Sequence, residues 1–206
     1  MSKMLDVYDF DKTIYDGDSS LDFYLFCLKN DLNILKYLPF QIYGAFLYYA
    51  KFKNKEYFKE NFFSFLKNYK NIDDVIIEFW NINENKIKYN LLNKSKNSSV
   101  VISASPYFLL KYISEKIGIN TLIATDVDKT NGKFMGENCY GKEKLQRFKN
   151  IFKDLEIENF YSDSKSDKYL ANIAKNAYLN QKVSNINIGI IKNKYEIVHN
   201  ILSNLI

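Results

Sequence analysis

The sequence predicts an α/β protein whose largely parallel sheet carries one inserted lobe of helices. Two observations lead to this fold class. From residue 99 onward, short β-branched or apolar runs alternate with helical stretches, as in repeated strand–helix–strand units. Residues 19–95 instead place aromatic and aliphatic side chains at helical spacing, with a single glycine and no obvious strand. An apolar run at residues 4–8 precedes these helices, so the helical lobe follows the first strand.

The individual elements are expected in the following order. Residues 4–8 form the first strand, and Asp6, an awkward residue for a buried strand, is expected at its outer end. Residues 99–102 form the next strand, after which Ser105 and Pro106 supply the N-cap and first position of a helix over 107–117. The later elements are strands at 121–124, 158–161, 177–179 and 186–191, helices at 143–152 and 166–176, and a turn at 130–133.

Composition and charge exclude several classes of protein. The 206 residues are 47% hydrophobic and 26% charged, which is enough for one substantial core and too apolar for a disordered chain. The net charge of +5 comes from lysines spread along the chain. We therefore expect solvated lysine-rich faces and anionic substrates, with no nucleic-acid partner. Cys27 and Cys139 lack ligand-like spacing, so neither a disulfide framework nor a zinc site is expected.

The most apolar stretch is residues 38–50. It is shorter than the ~20 residues of a spanning helix and contains Gln41, so no transmembrane segment is expected. We predict a buried helix here, and peripheral contact with a membrane surface or a lipid substrate is the alternative. No apolar signal segment precedes Asp6, which favours a cytoplasmic location over secretion. The single histidine, His199, falls in an expected C-terminal helix with a packing or surface role, so catalysis is expected without a histidine base.

Two carboxylates directly follow the first strand. Residues two apart in an extended chain point the same way, so Asp9 and Asp11 are expected on one side and Phe10 on the other. They lie at the carboxyl end of the strand, where open α/β sheets form their binding crevices. Two adjacent carboxylates repel each other unless a cation or a shared proton intervenes, and Mg²⁺ is a natural partner. On these residues alone, an acidic turn that caps the next element explains the pattern equally well.

Residues 9–13, Asp-Phe-Asp-Lys-Thr, resemble the first motif of the haloacid dehalogenase-like superfamily of phosphatases and phosphotransferases, in its phosphoserine-phosphatase-like branch. Lys12 replaces the usual glycine, and its side chain is expected in solvent. Three further stretches resemble the remaining motifs in the required order, and the resemblance spans about residues 5–180. These stretches are residues 100–103, ending in Ser103; residues 138–144, ending in Lys144; and residues 161–167, with Ser162 in place of a common glycine.

The resemblance implies a three-layer Rossmann-like core, formed by residues 1–16 and 96–206, and an inserted helical cap, formed by residues 17–95. It also implies catalytic roles for Asp9 and Asp11 and phosphate binding by Ser103 and Lys144, with Lys142 as the rival lysine. Mg²⁺ is the implied cofactor, with metal-binding roles for Asp9, Asp11, Asp163 and Asp167. For Asp167, a helix-capping role beside Ser164 is also open.

The implied activity is Mg²⁺-dependent hydrolysis of a phosphomonoester through an aspartyl-phosphate. Haloacid dehalogenases lack a carboxylate at the position of Asp11, since a halide leaving group needs no proton, so Asp11 favours phosphoryl transfer. The substrate is expected to be a small phosphorylated molecule, either lipid-like or a phospho-amino acid. The alternatives are a phosphotransferase or phosphomutase of the same superfamily and a non-catalytic binding protein with the same fold.

Overall fold

A computed structural model describes residues 4–92, 98–153 and 155–179, and the account below concerns these residues. The expected strand at 186–191, the helix around His199 and the expected boundary between residues 95 and 96 lie outside them. None of the helices in the described ranges is both long and apolar enough to cross a bilayer.

Within the described residues the sheet has five strands, all parallel, in the order β3-β2-β1-β4-β5. The strands are β1 (Leu5–Tyr8), β2 (Ser98–Pro106), β3 (Thr121–Thr125), β4 (Ile157–Ser162) and β5 (Asn176–Leu179). The predicted α/β class with a parallel sheet is confirmed. Strands added after β1 first build one side of the sheet and then the other, so the carboxyl end of β1 is the switch point where such sheets bind ligands.

Helices fill the chain between β1 and β2 and follow the later strands. Those before β2 are α1 (Ser19–Asn30), α2 (Leu38–Tyr49), α3 (Lys55–Phe62), α4 (Asp73–Asn83) and α5 (Tyr89–Leu92), here called the insertion together with their connections. Those after β2 are α6 (Tyr107–Lys116), α7 (Lys142–Phe152) and α8 (Lys168–Ala171). Side-chain oxygens of Asp18 and Asn54 cap α1 and α3, respectively, by accepting from backbone N–H groups of the first turn.

The described apolar side chains form two clusters, one on each face of the sheet. The first joins Tyr8 and Phe10 to the insertion, where the Trp80 ring meets Phe10 edge-on with centroids 5.8 Å apart. The Trp80 indole N–H also donates to the backbone oxygen of Leu109 on α6 at 2.7 Å. The second cluster packs α7, through Phe148, against the opposite face. The sheet is therefore covered on both sides, as a buried parallel sheet requires.

Three predictions about the burial or the length of these elements are wrong. Asp6 lies inside β1 and is 2% exposed, and it is tolerated there because Asn159 of β4 donates to its carboxylate at 2.9 Å. The helix expected at 166–176 is shortened to a 3-10 turn and the four-residue α8, since the chain must become extended again to pair β5 with β4. The apolar helix at 38–50 forms as α2, but most of its apolar side chains are exposed.

Candidate active site

The first motif continues β1 into a tight loop at the carboxyl edge of the sheet. The Asp9 backbone N–H still bonds to the Tyr161 backbone oxygen of β4 at 2.8 Å, and Phe10 is buried in the core. Asp9 and Asp11 both face the cavity beyond the sheet edge, on the side opposite Phe10, as predicted. Lys12 has φ +59°, in the left-handed region that glycine adopts without strain, and its side chain is exposed.

A cavity of about 400 Å³ lies between the carboxyl edge of the sheet and the insertion. The predicted residues that line it from the core side are Asp9, Asp11, Ser103, Lys144 and Asp163. Asp9 and Asp11 follow β1, and Asp163 follows β4. Ser103 lies in the last part of β2, and Lys144 lies in the first turn of α7. The fold thus brings together residues up to about 150 positions apart in sequence, because parallel strands end at the same sheet edge.

Lys144 is the cationic centre of the core side. It is 3% exposed, and its Nζ lies 2.8 Å from Asp9 Oδ1 and 2.8 Å from Asp167 Oδ2. The Ser162 hydroxyl donates to the same Asp167 oxygen at 2.8 Å. Asp167 therefore holds Lys144 in place and is not among the residues that line the cavity. The rival lysine, Lys142, is exposed and faces a different surface depression.

Burial and neighbouring charges shift the acidity of this pair. Burial raises the pKa of the Asp9 carboxyl to about 7, which Lys144 opposes and the nearby Asp167 carboxylate reinforces. Burial lowers the pKa of Lys144, but the attraction of Asp9 and Asp167 more than offsets it, so the net shift is upward. Lys144 therefore stays positively charged beside the Asp9 carboxylate, and burial makes that carboxylate easier to protonate.

Asp11 is held in position by two donors. The Ser19 backbone N–H donates to Asp11 Oδ1 at 2.7 Å, and the Ser105 hydroxyl donates to Asp11 Oδ2 at 2.5 Å. Burial, and then the nearby Asp18 carboxylate, raise the pKa of Asp11, which favours a carboxyl group able to carry a proton. The geometry suits a group that gives a proton to the cavity and takes one back.

Ser105 is a site residue that the sequence reasoning misassigned. The predicted Ser105 N-cap is wrong: Pro106 stands at the cap position of α6 without a side-chain cap bond, and the Ser105 hydroxyl turns to Asp11. The local Ser-Pro pattern could not reveal a contact across 94 positions of sequence. Ser103, by contrast, is buried at the cavity wall and accepts from the Ser105 backbone N–H at 3.1 Å.

The insertion supplies the opposite wall, and sequence reasoning did not identify the lysines of that wall. Lys59 of α3 reaches across, and its Nζ donates to the Ala104 backbone oxygen at 2.7 Å and to Asn138 Oδ1 at 3.1 Å. Burial and the neighbouring Lys55 lower the pKa of Lys59 to about 8. In the sequence, Lys55 and Lys59 are two of many lysines in a helical region, so nothing marks them as residues of a cavity wall. The apolar lining residues from the insertion are Leu21, Phe58, Phe62 and Phe63.

The donor atoms at the cavity fit a hard divalent cation. Asp9 and Asp163 present carboxylates to it, and burial raises the pKa of Asp163, as expected for a carboxylate that lacks a strong cationic partner. Among the residues described, no three acidic, histidine or cysteine side chains are grouped as a ready-made metal cluster. Two carboxylates completed by a backbone carbonyl and substrate oxygens are what Mg²⁺ takes, since it seldom uses an all-protein cage.

The profile of the haloacid dehalogenase-like hydrolase family matches residues 7–172, which is well over half of the chain. The chain therefore belongs to the haloacid dehalogenase-like hydrolases and is an enzyme of that family. No curated protein sequence matches it.

Solved structures share the fold at low sequence identity. A protein of unknown function from Bordetella pertussis Tohama I is 15% identical, with a TM-score of 0.70 over 89% of this chain and 92% of that one. A phosphoserine phosphohydrolase-like protein from Francisella tularensis is 17% identical, with a TM-score of 0.53 over 99% of both chains. A phosphoserine phosphatase, solved as an analogue of its phospho-aspartyl intermediate, is 16% identical, with a TM-score of 0.52 over 87% of each chain. This chain thus shares its fold with solved proteins described as phosphoserine phosphatases or similar to them.

Proposed function

We propose that the protein is a Mg²⁺-dependent phosphomonoester hydrolase that works through a phosphorylated Asp9. The observation that carries this proposal is the single cavity onto which Asp9, Asp11, Ser103, Lys144 and Asp163 all open. A nucleophile, a proton donor and phosphate-binding groups are what the protein itself must supply, beside the metal ion, to transfer a phosphoryl group to a carboxylate and then to water.

In the first step, an Asp9 carboxylate oxygen attacks phosphorus and the bond from phosphorus to the ester oxygen breaks. Asp11 gives its proton to the departing oxygen, so the organic part leaves as a neutral alcohol. In the second step, Asp11, now a carboxylate, takes a proton from water as the water oxygen attacks phosphorus. The bond between phosphorus and Asp9 then breaks and releases inorganic phosphate. Ser19 and Ser105 keep the Asp11 carboxyl group oriented through both steps.

The remaining groups neutralise and position the phosphoryl group. Lys144 touches Asp9 and supplies a compact positive charge beside the reacting carboxylate. The Ser103 hydroxyl is at the wall where a phosphoryl oxygen would bind. Asp9, Asp163 and the backbone carbonyl of Asp11 would hold Mg²⁺, which supplies Lewis-acid neutralisation of phosphate charge when bound. Asp167 contributes by fixing Lys144, and a direct metal role for it stays a prediction.

The insertion, expected over residues 17–95, is proposed to act as the cap. It places Leu21, Phe58 and Phe62 opposite the catalytic carboxylates, together with the positive charges of Lys55 and Lys59. The organic part of the substrate would therefore meet apolar side chains and at least one cation. A small phosphomonoester with both an apolar portion and an anionic group suits this wall best.

The test is hydrolysis of p-nitrophenyl phosphate by the purified protein with and without Mg²⁺. Asp9→Asn should lower kcat by at least about 10³-fold, and Asp11→Asn by about 10²–10⁴-fold. Asp16→Asn is the matched control, since Asp16 is an exposed acid of the same loop that does not line the cavity. An Asp9→Asn variant as active as the wild type would overturn the proposal. If added alcohols accepted the phosphoryl group in preference to water, the proposed activity would be phosphotransfer and not hydrolysis.

A further inference from the structure

Helix α2 has its polar face inside and its apolar face outside. Its buried residues, in a helix described throughout, are Gln41 and Gly44. Gln41 accepts from the Tyr24 hydroxyl at 2.9 Å and donates to the Phe62 backbone oxygen at 2.9 Å. At Gly44 a Cβ would lie only 2.5 Å from the Asn61 Cβ, so α2 and α3 approach too closely there for any side chain. These contacts fix the rotation of α2 and leave its apolar residues facing outward.

The outward side forms a continuous apolar surface, here called the outer face. Its residues recur at helical spacing along α2 and the preceding 3-10 turn, and Ile42 and Phe46 are 60% and 62% exposed. The outer face comprises Leu35, Leu38, Pro39, Ile42, Tyr43 and Phe46, which line one shallow groove. Leu32 before this stretch and Tyr49 and Phe52 after it are also exposed. A contiguous apolar surface of this kind marks an interaction site, whereas singly exposed apolar residues do not.

Lysines dominate the charge along the segment that carries the outer face, and the nearest acids in the sequence, Asp31 and Glu56, border it on either side. Residues 32–55 contain four lysines and no Asp or Glu, although the whole chain has 29 basic and 24 acidic residues. Lys36 precedes α2, and Lys51 and Lys53 follow it, so exposed cations lie beyond both ends of the helix. Among the described residues, none of these three lysines forms an ion pair. The partner of the outer face must therefore be apolar in part and negatively charged at its edge.

We propose that the outer face docks on the surface of an anionic lipid bilayer. A bilayer offers acyl chains beneath negatively charged headgroups, which matches an apolar stripe between lysines. A second copy of this chain would bring the same lysines to the contact, and like charges across an interface are unfavourable. The 12-residue helix is about 18 Å long, too short to span, so it lies in the plane of the interface. Tyr43 and Tyr49 suit the headgroup level, where aromatic rings concentrate.

Docking would bring the catalytic cavity close to the lipid surface. Helix α2 packs along α3, and α3 also contributes Phe58 and Lys59 to the cavity wall. One helix layer thus separates the outer face from the candidate active site. The docking proposal is independent of the proposed chemistry, because no outer-face residue lines the cavity.

The test is sedimentation of the purified protein with vesicles of equimolar phosphatidylcholine and phosphatidylglycerol, compared with pure phosphatidylcholine. The wild type should bind the anionic vesicles at least about tenfold more tightly and be released by salt. Ile42→Ser with Phe46→Ser should weaken binding at least about tenfold. Lys51→Glu with Lys53→Glu should weaken it by about fivefold or more per lysine. The matched control is Ile82→Ser with Ile151→Ser, which removes apolar residues of similar exposure elsewhere.

Circular dichroism and p-nitrophenyl phosphate hydrolysis, which depends on the cavity, separate loss of docking from loss of folding. Equal binding by the outer-face and control variants would overturn the proposal, as would failure of the wild type to bind anionic vesicles. Ultracentrifugation provides the remaining arm. The wild type could prove to be a dimer that Ile42→Ser with Phe46→Ser converts to a monomer, while neither protein binds vesicles. That result would show that a second copy covers the outer face, and it would also overturn the docking proposal.

Discussion

Replacing Lys144 by Met should destabilise the fold in a way that depends on pH. The substitution keeps most of the side-chain volume but removes the cation that lies 2.8 Å from both Asp9 and Asp167. Breaking a buried ion pair by removing one partner costs roughly 3–5 kcal/mol, because the other charge stays buried. Asp167 is 1% exposed and would keep only neutral hydroxyl donors among the described side chains, Ser162 at 2.8 Å and Ser166 at 3.5 Å, so its carboxylate carries much of that cost.

The pH dependence follows from Asp9. Its pKa is raised from 3.8 to about 7 in the folded protein, so the folded state binds the proton more tightly than the unfolded state. The contribution of Asp9 to stability is therefore fully present below about pH 4 and is lost as the pH rises to about 7. Without Lys144 the pKa of Asp9 rises further, and the loss extends to higher pH. We expect a destabilisation of about 3 kcal/mol near pH 6 and about 5 kcal/mol near pH 8.5.

Urea unfolding followed by circular dichroism, in the presence of a chelator, measures both values. Lys142→Met is the matched control, because Lys142 is an exposed lysine of the same helical turn and its loss should cost less than about 0.5 kcal/mol. The reasoning fails if Lys144→Met unfolds at the wild-type urea concentration at both pH values. It also fails if the destabilisation shrinks as the pH rises.

Three further predictions concern single side chains. Ser105→Ala removes a donor to Asp11 and should lower kcat about tenfold with little change in KM; an unchanged kcat in steady-state kinetics would contradict this role. Lys59→Met should raise KM about tenfold for phosphomonoesters with an anionic organic part. Because the pKa of Lys59 is about 8, wild-type KM should rise above that pH while the KM of the variant stays flat, and parallel profiles would refute the assignment. Trp80→Phe leaves the Leu109 carbonyl without its indole donor and should cost about 2–3 kcal/mol in urea unfolding, whereas a loss below about 0.5 kcal/mol would show that this bond is dispensable.

The sheet and the carboxylates of the candidate active site could be predicted because their signals are local. An apolar run followed by acids two apart specifies both the strand and the common direction of Asp9 and Asp11. Lys144 lies in the predicted motif at the start of α7, and its contact with Asp9 agrees with the choice over Lys142. The strand and the shared direction of Asp9 and Asp11 follow from strand periodicity and from the rule that parallel strands end at one edge, whereas the choice of Lys144 rests on the family resemblance.

The features that could not be predicted depend on partners far away in the sequence. Asp6 is compatible with a buried strand because a residue 153 positions away, Asn159 of the neighbouring strand, donates to its carboxylate. Ser105 looks like a helix cap until the fold brings Asp11 next to it. The apolar run of α2 predicts a buried helix, and this prediction is wrong. Hydrophobicity alone does not determine which side of the helix faces solvent. Its orientation is set by Gln41 and Gly44, two residues that contribute little to its apolar character.

The insertion is fastened to the sheet unevenly, and this limits how substrate can enter. On the side of α1 and α4, Trp80 and Phe23 belong to the same buried cluster as Phe10, which lies between Asp9 and Asp11. Lifting the whole insertion would expose these large aromatic side chains to water, at a cost of roughly 1.5–3 kcal/mol each. Helix α3, all of which is described, has no fully buried residue, although it forms the cavity wall. Moving α2 and α3 as a pair would therefore expose fewer fully buried side chains than lifting the insertion as one body, and its polar cost would include the bonds of Lys59 to Ala104 and Asn138.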